Sequence, residues 1–146
     1  MTIKKITCCV DFSENAKAAF ETSIEMARKF QAKLYVVHVI PPVVNPMLMG
    51  TEWIIPEEPK KSMILNIEER MKQDYDSKIN DDIDYELIVL DGHVSSEIIR
   101  FLEEKEVDIV ITGSYGASGM GLVIFGSVAK RVAHKAPCSV MIVREK

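Results

Sequence analysis

Residues 34–40 read Leu-Tyr-Val-Val-His-Val-Ile, and this run decides the fold class. A strand with one face in water alternates apolar and polar residues, whereas here both parities are apolar, which predicts a strand covered on both faces, as in a parallel sheet. Upstream of it, Ala16, Ala19, Phe20, Ile24 and Ala27 recur at helical spacing as far as about Phe30, and Ile3 to Val10 reads as a first strand. Downstream, Pro41 to Lys60 holds five of the six prolines and predicts a loop. Ile64, Ile67, Met71 and Tyr75 then share one face of a second helix, and Tyr85 to Leu90 forms a third strand ended by Asp91-Gly92. Val94, Ile98 and Leu102 mark a third helix, the run VDIVITGS from Val107 a fourth strand, Val128, Val132, Ala133 and Ala136 a fourth helix, and Ser139 to Val143 a fifth strand. Strictly alternating strands and helices predict an α/β three-layer sandwich, a five-stranded parallel sheet with helices on both faces. Crossovers in such sheets are right-handed, and ligands bind beyond the carboxyl ends of the strands where the winding reverses.

The 146 residues, set against a prior of about 150 per domain, predict one domain over residues 1–146. With 47% hydrophobic and 27% charged residues the chain is neither disordered, collagen-like nor coiled coil. A net charge of −4 supplies no field toward nucleic acid or anionic lipid, so neither is an expected partner. The apolar stretch in MTIKKITCCVDF is cut by Asp11, too early for a signal peptide, and no apolar run approaches the 18 or so residues of a membrane span. A soluble, cytoplasmic protein is expected. Its three cysteines are an odd number, and the neighbours Cys8 and Cys9 point to opposite faces of their strand, so plain buried thiols are expected.

The chemistry lies at the strand ends. The fourth strand runs into Gly113-Ser114-Tyr115-Gly116, and nine residues further on Gly126-Ser127 open the fourth helix. Glycines let backbone approach a bulky anion, and the first free N–H groups of a helix carry partial positive charge, so the pattern describes a phosphate cradle. Four charge-assisted bonds at roughly 1.5–3 kcal/mol each supply much of the approximately 8 kcal/mol of micromolar binding. The alternative is a glycine-rich turn with Ser127 capping the helix. A P-loop GxxxxGK[ST] occurs nowhere, and Gly116, Gly119 and Gly121 are spaced GxxGxG, the wrong order for a dinucleotide fingerprint.

The spacing Gly113-x-x-Gly116, nine residues, Gly126-Ser127 resembles the phosphate-binding motif of the ATP-binding branch of the universal stress protein family. VDFSENAKAAF after the first strand, HVI at the end of the second and the closing APCSVMIV are similar to that family as well. The resemblance implies strand order 3-2-1-4-5, with Asp11 and Gly113 facing each other at the reversal. It implies that Asp11 lies at the ribose or at a Mg²⁺ on the phosphates, that the backbone of Val39 recognises adenine with Thr112 and Cys9 as walls, and that Gly113 and Gly116 approach ribose and phosphates. Gly126, Ser127 and Val128 would donate N–H groups, with the Ser127 hydroxyl as a further donor. Cys9, Val94 and Ser139 depart from the family, each standing where proline is frequent; none of them is a phosphate donor. The implied partners are an adenine nucleotide (ATP, ADP or AMP) and a second copy of the chain, paired through the final strand.

Other features have structural readings. The Pro41–Lys60 segment, with Met47, Met49 and Trp53, is either a functional cover or a mobile connection. His38 is expected at a strand end and His93 at a helix start, neither with the partners of a metal site. Lys130 and Arg131 read as solvated surface, and Asp81-Asp82-Ile83-Asp84 as a solvated turn. An ATP-dependent regulatory dimer of the stress response is the leading functional reading; a slow ATPase or phosphotransferase at the same site is the alternative, weakened by the lack of a Walker-type acid or kinase-like catalytic loop. A phosphorylated receiver would need adjacent acids after the first strand, where Asp11 is followed by Phe12.

Overall fold

The computed structural model describes residues 1–42, 57–114 and 126–145, with the side chains of residues 57–59 outside that description. Five strands, β1 (Lys5–Cys9), β2 (Lys33–Ile40), β3 (Tyr85–Asp91), β4 (Ile109–Gly113) and β5 (Ser139–Val143), form one sheet in the order β3-β2-β1-β4-β5. Every pairing is parallel, with Thr7 beside Tyr35 on one flank and beside Val110 on the other. Four helices connect them: α1 (Glu14–Phe30), α2 (Glu57–Tyr75), α3 (Val94–Glu104) and α4 (Ser127–Lys135).

The chain winds from β1 outward to β3, then crosses back to β4 and β5. With right-handed crossovers, this reversal puts α1 and α2 on one face and α3 and α4 on the other. Side-chain alternation divides the core accordingly. Ile6, Cys8, Leu34, Val36 and Ile111 pack with Ala16, Phe20 and Met71 on the first face. Tyr35, Val37, Val39 and Val110 pack with Ile98, Phe101, Leu102 and Val132 on the second. The reversal lies between β1 and β4, as the resemblance implies.

The local chemistry of α1 explains its bounds. Ser13 accepts a hydrogen bond from the Ala16 N–H at 3.2 Å as N-cap, and Arg28 and Lys29 sit in the last turn, where the helix dipole favours them. Gln31 then turns left-handed and closes the end. Ala16, Ala19, Phe20, Ser23 and Ala27 make the buried stripe. Two expectations need adjustment. The predicted loop from Pro41 to Lys60 ends early, because α2 already begins at Glu57; Pro59 falls in its first turn, where a missing N–H breaks no helical bond. In the Asp81–Asp84 turn the acids are exposed, with Asp82 paired to Arg28 at 2.7 Å, but Ile83 is buried beneath them. Met47, Met49 and Trp53 lie outside the described residues. Among the described residues no helix is long and apolar enough to cross a membrane.

Candidate functional site

Three strand ends and one helix start meet at the reversal. Asp11 leaves β1, Thr112 and Gly113 close β4, Val39 lies near the end of β2, and Gly126, Ser127 and Val128 start α4. Gly116 lies outside the described residues. Cys9, Val39 and Val128 belong to one apolar cluster on the α3/α4 face, and alternation along β4 turns Thr112 to that face beside Val110. The residues expected to wall an adenine pocket therefore share a face of the sheet.

At the end of β1 the polar groups are tied into one turn. The Asp11 carboxylate accepts hydrogen bonds from the Ser13 N–H at 3.1 Å and from the Ser13 hydroxyl at 2.5 Å. Ser13 is the helix cap, which leaves Asp11 two residues before the cap of α1. Between them Phe12 has φ of 64°, a left-handed conformation rare for a bulky side chain. From β2, the His38 Nδ1–H donates to the Val10 carbonyl at 2.8 Å, which fixes the tautomer and braces the β1 end. Burial holds the His38 pKa below its ordinary value of 6.5, against the opposing pull of the Val10 bond and of Asp11, with Arg70 adding to the depression.

The end of β4 is built from main chain. The Ser114 N–H donates to the Val143 carbonyl at 3.0 Å, and the Ser114 carbonyl accepts from the Gly126 N–H at 2.6 Å, so α4 starts level with the end of the strand. The N-cap of α4 is Gly126 itself and makes no side-chain cap hydrogen bond. This distinguishes it from α1, capped by Ser13, and from α3, where His93 Nδ1 accepts from the Ser96 N–H at 3.4 Å. Ser127 is therefore the first helical residue and exposed, not the cap that the simple turn reading required.

Gly113 has a second reason to be glycine. A Cβ there would meet Asn15 Cβ at 2.8 Å and the Asn15 backbone carbon and oxygen at 2.9 Å. The first turn of α1 thus lies directly on β4, on the face opposite the Cys9–Val39–Val128 cluster. On that face the close approach to Gly113 is made by α1 of the same chain. Neither the positive φ of Phe12 nor the helix-on-strand contact of Asn15 leaves a composition or spacing signal in the sequence.

The thiols are poor nucleophiles. Burial pushes the Cys8 thiol up to about 12 and raises Cys9 and Cys138 as well, which disfavours the reactive thiolate. Among the described residues no group of three or more His, Cys, Asp or Glu could hold a metal ion. A Mg²⁺ held by protein ligands alone therefore does not fit these residues; one arriving with a polyphosphate would need only one or two carboxylates.

The model of the universal stress protein family matches residues 2–144. The chain is 30% identical to universal stress protein MJ0531 of Methanocaldococcus jannaschii, over 97% of this chain and 82% of that one. It is also 30% identical to universal stress protein YxiE of Bacillus subtilis, over 96% and 98%. Among solved structures, UspA of Lactobacillus plantarum superposes with a TM-score of 0.76 at 23% identity, covering 99% of both chains, which is a likeness of fold. Two further neighbours of the same fold were solved with nucleotides: a universal stress protein in complex with cAMP (TM-score 0.62, 19% identity, 99% and 98% covered) and one from Archaeoglobus fulgidus in complex with dAMP (TM-score 0.58, 23% identity, 97% and 98% covered). The sheet order read from the winding, the glycine spacing around α4 and a family match across nearly every residue agree, and the chain belongs to the universal stress protein family.

Proposed function

We infer that this protein binds ATP at the β1/β4 reversal and works as a nucleotide-dependent regulator in the stress response. The observation that carries the reading is the start of α4: a helix N-terminus whose cap residue is a glycine, without a side chain to take up the opening amides, aligned with the end of β4. Amides so placed favour a phosphate group, and an exposed serine at the first helical position adds a hydroxyl. Adenine would lie against Val39, Thr112 and Cys9, with the ribose near Asp11 and Gly113. Gly116, Ser127 and Val128 would serve the phosphates; the Gly126 N–H, expected from the sequence as a further donor, is given to the Ser114 carbonyl, so Gly126 would contribute only by carrying no side chain there. When Mg²⁺ accompanies the nucleotide it would neutralise phosphate charge, and Asp11 is the carboxylate that would meet it. ADP and AMP share the groups that this site would read and are weaker candidates only through fewer phosphate contacts. The cAMP and dAMP complexes of the fold neighbours support an adenine nucleotide as the ligand class.

A homodimer through β5 completes the reading. That strand is the sheet's outer edge on the α4 side, and Val140 to Val143 are only partly covered, which favours pairing with a second copy. A cytoplasmic location is in keeping with three free thiols. Calorimetric titration of the purified chain with ATP tests the proposal: saturable binding at submillimolar concentration is expected, and its absence rejects the nucleotide role.

A further inference from the structure

Phe12 stands between the two residues that shape the β1 end, and its backbone is strained. A bulky L-residue holds φ of 64° only where its surroundings keep it there. Those surroundings come from two other elements. The His38 ring of β2 lies 4.9 Å from the Phe12 ring centroid, and Tyr75 of α2 stacks on it at 6.0 Å. The Arg70 guanidinium, also from α2, sits 3.9 Å above the ring, in cation–π range. Tyr75 is itself held by Phe20 of α1 at 4.6 Å. The last turns of α2 thus grip a side chain whose own backbone joins Asp11 to the cap of α1.

We propose that Phe12 is a positioning residue for Asp11, and that through it nucleotide occupancy and the docking of the Arg70–Tyr75 turns of α2 are thermodynamically coupled. The inference rests on the nucleotide reading above. If the grip loosens, φ at residue 12 is free to fall back to negative values, which rotates the Asp11–Ser13 turn and carries the Asp11 carboxylate away from the reversal. Coupling of this kind is reciprocal: a ligand that favours the held position of Asp11 must also favour docked α2. The output would be a change at one helix of the α1/α2 face, remote from β5.

Two substitutions separate backbone from ring. Glycine adopts positive φ without steric penalty, so Phe12→Gly keeps the turn accessible while cutting the link to α2; Phe12→Ala loses both. ATP titration should give an affinity for Phe12→Gly within about threefold of wild type and for Phe12→Ala about tenfold weaker, equivalent to about 1.4 kcal/mol. Hydrogen exchange read on residues 70–75 should slow when ATP is added to wild type, and this response should vanish in Phe12→Gly and in Arg70→Met. A purely structural role would alter thermal stability in these variants but not the ATP-dependent change in exchange. Should Phe12→Ala fail to fold, Phe12→Gly and Arg70→Met carry the same comparison. Wild type that binds ATP with no change in α2 exchange overturns the coupling, and Phe12→Ala binding as tightly as wild type overturns the positioning role. Wild type that binds no ATP rejects the nucleotide reading itself, a result distinct from either.

Discussion

The ends of β1 and β4 are neighbours in the sheet and are built in opposite ways. At β1, side chains satisfy one another: Asp11 accepts from Ser13, Ser13 caps α1, and His38 holds the Val10 carbonyl. At β4, main chain bonds main chain through Ser114, Val143 and Gly126, and α4 begins with no side-chain cap. The first end is closed and strained, and the second presents helix amides. A ligand meeting both would find a fixed acid on one side and the start of a helix capped by glycine on the other.

The comparison is broken most severely at Gly113. Replacing it with alanine pushes a methyl into the Asn15 backbone, and about 1–3 kcal/mol of stability should be lost, measurable as a lower urea midpoint at unchanged slope. A neutral result would mean that α1 can withdraw from β4. Next in size is Gly126→Asp, which gives α4 the acidic cap it lacks. Stability should rise by about a few tenths of a kcal/mol, while ATP affinity falls by about tenfold or more as the new carboxylate faces phosphate. The opposite signs are the informative part; a loss of stability together with affinity would point to general disruption. At the closed end, Ser13→Ala removes the α1 cap and the partner of Asp11, and about 1 kcal/mol should be lost in thermal or urea unfolding.

The smallest effect is a pH dependence at His38. Its native pKa is below its unfolded value of 6.5, principally through burial, so unfolded chains bind the proton more readily. The contribution is complete above about pH 6.5 and is lost as pH falls through the lowered native value. Asp11 and Arg70, which face the imidazole with opposite sign, set how far that window extends. Urea midpoints followed from about pH 8 down to 5 should decline less steeply in His38→Gln than in wild type; identical slopes would place the dependence elsewhere.

What was legible in the sequence follows the same divide. The unbroken apolar run at residues 34–40 and the periodic alanines of α1 impose strand and helix by burial alone, so element order and sheet class were readable. The strand order came from family likeness. The start of α4 at Gly126-Ser127 was readable because glycine spacing leaves a trace in sequence. The side-chain end was not: the contact of Asn15 with Gly113, the left-handed Phe12 and the stacking of Arg70 over it depend on residues from separate elements meeting after folding, and no local pattern encodes that. The start of α2 at Glu57 is hidden in the sequence because Pro56 and Pro59 predict a loop, whereas the first turn of a helix tolerates proline.

In the proposed complex the Ser127 and Val128 amides of α4 grip the phosphates. Amide chemical shifts followed by ¹⁵N–¹H correlation spectra during ATP addition test it directly. The expected result is a saturable shift of the Ser127 and Val128 amides along a common binding curve, reproduced in reduced form by AMP. Saturable binding that leaves those two amides unmoved would place the phosphates elsewhere.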